Sequence, residues 1–196
     1  MNYTLIALVI SAILITCATV IQQSRVEVFY VWPAEIDRGL CDTITVNTAA
    51  YYSRVKDQVL SLDFLARNLE VSERYNEEFK VLGYYVVNMS ITSGEDYSCV
   101  NVTVWYNLSW GQYVSKAFLM VVVLNRIGFT DPVTGEEYTN MTIALLCDRG
   151  RPLSVRVLGE YYLTYSHDNV WILIVPSSVE SVVLEDWRGI RVEVLV

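Results

Sequence analysis

The 196-residue chain predicts a mainly β fold: an immunoglobulin-like β-sandwich of eight or nine strands with a helical insertion, preceded by one N-terminal apolar helix. Three observations carry this. From residue 84 onward, short runs of alternating apolar and polar residues recur, with turn signals between them. Two runs, 117–124 (AFLMVVVL) and 170–175 (VWILIV), are continuously apolar, as in strands buried on both faces. Residues 3–21 (YTLIALVISAILITCATVI) contain no charge, glycine or proline.

Taken in order, the apolar run comes first. As a helix its 19 residues reach roughly 28 Å, close to the hydrocarbon thickness of a bilayer. Residues 1–24 therefore read as a signal-anchor, or as a signal peptide with small residues at Thr16 and Ala18. Residues 25–196 form the expected extracytoplasmic domain. Arg25–Val31 alternates through Val26, Val28 and Tyr30 and reads as a first strand, and Cys41–Asn47 as a second. Tyr51, Val55, Val59, Leu62, Leu65 and Leu69 recur at spacings of 3 and 4, an amphipathic helix. A shorter helix follows from Ser72 to Gly83, so the helical segment spans about 49–82.

The remaining strands follow from period-two alternation. Residues 84–92 and 99–110 flank a hairpin loop at 93–98, and a strand over 113–125 leads into a loop over 126–138. Strands are expected over 139–147, 153–165, 170–175 and 190–196, with 176–187 ambiguous between strand and short helix. His167-Asp168-Asn169 turns the chain into the second buried run.

Composition narrows the function classes. Hydrophobic residues make up 53% and aromatics 12%, which excludes a disordered chain. A single long apolar run argues against a multi-pass membrane protein. The net charge of −8 falls wholly on residues 25–196, because residues 1–24 carry no charged side chain. An acidic domain repels phosphate backbones, so no nucleic-acid partner is expected.

Four Asn-x-Ser/Thr sequons, at Asn88, Asn101, Asn107 and Asn140, lie between residues 88 and 142. Their phase is informative. Val100, Val102, Val104, Tyr106 and Leu108 share one strand face, and Asn101, Thr103, Asn107 and Ser109 the other. Tyr85, Val87, Met89 and Ile91 likewise oppose Asn88 and Ser90, and Met141 and Ile143 oppose Asn140 and Thr142. The asparagines are expected to be glycosylated; the alternative is that Asn and Thr simply occupy wet strand faces. Among the cysteines, Cys17 lies in the apolar run. Cys41, Cys99 and Cys147 allow one disulfide and leave one thiol over, with three possible pairings.

No catalytic set emerges. The one histidine, His167, sits in a turn, and no G-x-S-x-G elbow, C-x-x-C or Gly-rich phosphate loop is present. Asp131, Glu136 and Glu137, or Glu95 and Asp96, lack calcium-loop spacing. No enzyme activity, metal or cofactor is expected. The leading expectation is a membrane-anchored surface glycoprotein with a structural or adhesive role, meeting the membrane through its N-terminal helix and protein partners or itself at sheet edges. Two alternatives stay open. One is a secreted filament subunit that donates the strand 25–31 (Val26, Val28, Tyr30) to a neighbour. The other is a secreted hydrolase or carbohydrate-binding module.

Overall fold

A computed structural model describes residues 33–159 and 161–196. The apolar run 3–21, Cys17 and the expected strand 25–31 with Val26, Val28 and Tyr30 lie outside the described residues. Those residues are mainly β: nine strands in two sheets, with two helices.

Helix α1 spans Pro33–Val55 and α2 spans Gln58–Tyr75. The strand expected at Cys41–Asn47 is thus the middle of a helix, and the helical segment runs earlier than 49–82 at both ends. Pro33 opens α1, where its missing N–H would have no intrahelical partner anyway. Asp37, Cys41, Ile44, Thr45, Thr48 and Tyr52 are buried, a stripe of helical period that packs on the sheet. Three threonines, poor helix formers by propensity, satisfy their hydroxyls locally. Thr43, Thr45 and Thr48 each donate to the carbonyl four residues back, at 2.8, 2.9 and 2.8 Å.

Lys56 divides the two helices with a left-handed φ of 56°. Asp57 then caps α2 by accepting the Leu60 N–H at 3.0 Å. Ser61, Leu65 and Leu69 are the buried face of α2, and the Tyr51 and Phe64 rings stack at 4.3 Å between the helices.

The larger sheet contains β1 (Val81–Ser93), β2 (Tyr97–Leu108), β3 (Gly111–Thr130), β4 (Glu137–Cys147), β6 (Tyr162–His167) and β7 (Val170–Pro176). Its order is β1-β2-β3-β4-β7-β6, every neighbouring pair antiparallel. The smaller sheet has the order β5-β8-β9, from Val155–Leu158, Ser181–Asp186 and Arg191–Leu195. Four consecutive strands side by side make a meander, whereas an immunoglobulin domain distributes successive strands between two sheets.

Several boundaries differ from the sequence expectation. The run 153–165 is two strands in different sheets. Gly159, at φ 127°, breaks it, and a Cβ there would sit 2.6 Å from the Tyr161 ring. The segment 126–138 is mostly strand, because β3 and β4 continue as a hairpin arm to Thr130 and Glu137. The ambiguous stretch 176–187 contains β8.

One face of the larger sheet is the core face. Val100, Val102, Val104, Tyr106 and Leu108 on β2, Ala117, Leu119 and Val121 on β3, and Met141, Ile143 and Leu145 on β4 are all buried there. Helix α1 packs over β2 and β3, and β9 packs over β1, β2 and β3. The Tyr106 hydroxyl shares a 2.9 Å hydrogen bond with Thr45, joining α1 to the middle of the sheet. Burial drives the Tyr106 phenol well above its usual pKa, against the opposing pull of that bond.

Candidate functional site

Alternation and register place the opposite face of the larger sheet outward. On β2 it carries Cys99, Asn101, Thr103, Trp105 and Asn107, each half-buried between fully buried neighbours. On β3 it carries Val114, Lys116, Phe118, Met120 and Val122, and on β4 Tyr138, Asn140, Thr142, Ala144 and Leu146. Ile172 and Ile174 continue it on β7, opposite Thr142 and Asn140. Across β1–β4 and β7, Lys116 is the one charged side chain at an outward position among the described residues. The amino-terminal side of this face is rich in Asn, Thr and Ser; the β4–β7 side is aliphatic.

All four sequon asparagines fall on this face. Asn88 pairs with Thr103, Asn101 with Ser90 and Phe118, Asn107 with Gly83 and Gln112, and Asn140 with Ile127 and Ile174. Asn88, Asn101 and Asn107 lie on adjacent strands, and Asn140 lies two strands from β2. Asn101 Oδ1 accepts from Thr103 Oγ1 at 3.3 Å, while Asn140 Oδ1 is buried without a hydrogen-bond partner among the described residues.

The face of β1 differs from simple alternation. A bulge at Val87 sets Val86 opposite Val104 and Asn88 opposite Thr103. Asn88 and Ser90 therefore point outward and Met89 inward, as alternation predicts. Tyr85 and Val87, expected inward, are each 54% exposed, and Tyr85 stacks on Trp105 at 5.0 Å.

The three described cysteines carry no bridge. Cys99 faces outward, while Cys147 faces inward opposite Leu119. Cys41 sits on α1 against Tyr106, whose hydroxyl is 3.5 Å from the Cys41 carbonyl. Burial, and then the carboxylates of Asp37 and Asp42, push the Cys41 thiol up to about 12.

His167 is exposed on the β6–β7 turn, where Asp168 and Asn169 take the two left-handed positions of a tight hairpin. Its Nδ1 lies 3.6 Å from the Asp168 carboxylate. The acidic loop is also internally engaged: Asp131 accepts from the Val133 N–H at 2.8 Å, and Glu136 from the Tyr138 hydroxyl at 2.7 Å. No group of three metal-ligating side chains occurs among the described residues, and no described helix is long and apolar enough to cross a membrane.

In two of the open clefts that carry charge, the carboxylates are engaged by neighbouring side chains. One, of about 600 Å³, runs along β5 and β8 past Arg156, Glu185 and Trp187. Glu185 is clamped by Arg156 and by Arg191 at 2.5 Å. Burial alone would raise its carboxyl, but the Arg191 and Arg156 hydrogen bonds outweigh that and hold it below the usual glutamate value. The other, of about 440 Å³, lies between α1 and β3 and is lined by Asp42, Tyr113, Lys116, Phe118 and Asp148. Asp42 accepts from Tyr113 at 2.9 Å and Ser115 at 2.6 Å.

Asp148 joins a buried cluster that sequence reading missed. Arg188, with a side chain 1% exposed, pairs with Asp148 and with Asp186 at 2.7 Å, and donates to the Phe118 carbonyl at 2.7 Å. Its members lie 2, 40 and 70 residues apart in the chain, so no local spacing announces them. These carboxylates are engaged in holding the two sheets together.

Comparison with known proteins finds no counterpart: no family model, curated protein or solved structure matches the chain.

Proposed function

We propose that the chain is a non-catalytic, membrane-anchored surface glycoprotein with a structural or adhesive role, held by residues 3–21 and presenting the β domain outside the cell or virion. One observation carries this reading: the four sequon asparagines share one outward sheet face that is almost free of charge. A hydrated face of a −8 chain would ordinarily hold its share of carboxylates. A face of Asn, Thr and aliphatic side chains suits attached sugar and protein contact instead. The helix α1 and the smaller sheet stacked on the inner face support describing the domain as a β-sandwich in the broad sense of two layers.

Intact-mass measurement with N-terminal sequencing of native material tests the reading. Hexose and N-acetylhexosamine mass on the peptides of Asn88, Asn101, Asn107 or Asn140, with residues 1–24 retained, is the expected result. Unmodified asparagines throughout would overturn the glycoprotein. A glycosylated chain beginning near Arg25 would favour the secreted filament subunit, whose freed strand 25–31 can be donated.

A further inference from the structure

The larger sheet has a gap in it. Strand β4 covers β3 only from Leu119, opposite Cys147, to Thr130, opposite Glu137. The first part of β3, from Gly111 to Phe118, pairs with β2 on one side and with no described strand on the other. At the upper end of the gap, side chains take a strand's place. Asp148 accepts the Phe118 N–H at 3.1 Å, and Arg188 donates to the Phe118 carbonyl.

Main-chain groups point to alternate sides along a strand. Because Phe118 turns its N–H and C=O away from β2, so do Lys116, Val114 and Gln112. No described residue supplies these three with main-chain partners. The other free edges of this sheet are interrupted: β1 is bulged twice, and β6 slips between Tyr165 and His167. Such irregularities discourage strand addition. The β2–β3 register, by contrast, is continuous from Tyr97–Val122 to Leu108–Gly111.

We propose that this edge pairs with the same edge of a second copy of the chain, antiparallel about a two-fold axis at Val114. The inference rests on the reading above, that the domain has a structural or adhesive role. Gly111–Ala117 of one copy then runs against Ala117–Gly111 of the other, filling the gap below Phe118. Val114, 55% exposed in the single chain, is covered by its counterpart. Charge also selects this occupant. The chain carries −8, yet the strand GQYVSKAF itself contains no carboxylate, and the two beside it are engaged, Asp42 by Tyr113 and Ser115 and Asp148 by Arg188 and the Phe118 N–H, so two copies meet where their repulsion is small. Lys116 of one copy lies opposite Gln112 of the other. The two lysines end four residues apart, about 13 Å and beyond the Debye length at physiological salt.

The test is the mass of the full chain in detergent, by analytical ultracentrifugation over a concentration series. Wild type is expected to dimerise. Val114→Pro removes an N–H that points into the gap and no hydrogen bond to β2. It should weaken dimerisation at least about tenfold, through one lost bond at each copy's dyad position. Its melting temperature should stay close to that of wild type at dilutions where both are monomeric. Register is read separately in a Cys99→Ser background. Val114→Cys should oxidise to a disulfide dimer across the dyad, while Gln112→Cys, about 13 Å from its own counterpart, should not. A wild-type chain that stays monomeric, a dimer indifferent to Val114→Pro, or equal cross-linking of the two cysteine variants would each overturn the proposal. Glycan mass is independent of these outcomes, so loss of the glycoprotein reading and loss of this one are told apart.

Discussion

The two faces of the larger sheet are made from the same strands and differ in what they exclude. The inner face excludes water: Val102, Val104, Leu119, Val121, Ile143 and Leu145 are fully buried. The outer face excludes charge rather than water, since Lys116 stands alone among Asn, Thr, aromatic and aliphatic neighbours. An inner face of this kind is explained by folding. Nothing in folding requires an outer face to be uncharged, and its composition is what the proposed sugar and protein contacts would use.

The contrast can be broken most forcefully at the ion cluster. Arg188→Met should destabilise the protein by about 3–5 kcal/mol, because it strands the buried carboxylate of Asp186. Urea unfolding measures this, and a change below about 1 kcal/mol would mean that water reaches the cluster. The same strand supplies the next test. Leu119→Ala on the inner face should cost about 2–5 kcal/mol. Met120→Ala, one residue along and facing outward, should cost under about 1 kcal/mol. Equal costs would show that the outer face is covered in the isolated protein.

Acid supplies a smaller effect. Glu185 is held below its usual pKa by Arg191 and Arg156 against burial, and Glu193 by Lys56 and Ser181. Groups depressed in the folded state stabilise it above the unfolded value, about 4.3 for glutamate, and lose that contribution as pH falls through the folded values. Melting temperature should therefore be level towards neutral pH and fall below about pH 4.5. Glu185→Gln should lower the plateau and flatten the acid branch. A variant with an unchanged acid branch would remove Glu185 from the account. The smallest effect is chemical: a maleimide at pH 8 should modify half-buried Cys99 before buried Cys41, whose thiol is pushed up to about 12. Peptide mapping reads the order, and prior labelling of Cys41 would contradict its burial under Tyr106.

Much of the β region was legible because period-two alternation is imposed by burial of one face. The strands near 84–92, 99–110 and 139–147, and the β6–β7 turn at His167-Asp168-Asn169, follow directly from it. Cys41–Asn47 misleads for a physical reason. Thr43, Thr45 and Val46 favour strands locally, but the threonine hydroxyls bond back along α1 and the stripe Cys41-Ile44-Thr48-Tyr52 meets the sheet, so packing outweighs propensity. Alternation also fails at a bulge, which adds a residue without announcing it, as at Val87. The outward phase of the four asparagines was legible strand by strand. That they share a single sheet face depends on which strands are neighbours, and alternation contains no such information. The gap beside β3 was illegible for the same reason, since it reflects where β4 stops.

The tie from Arg188 to the Phe118 carbonyl closes a loop of 70 residues. The β1–β4 meander, by contrast, forms from contacts between consecutive hairpins. Loop closure must be met before long-range contacts are gained, so the meander is expected to form first and the smaller sheet to dock onto it late. An interaction absent from the folding transition state governs how fast the native state opens, not how fast it forms. The buried arginine is then a clasp on lifetime: Arg188→Met should leave the refolding rate nearly unchanged and put its whole cost into faster unfolding. On the proposed placement of the domain outside a membrane, where an opened chain would meet proteases, that lifetime is the quantity that matters.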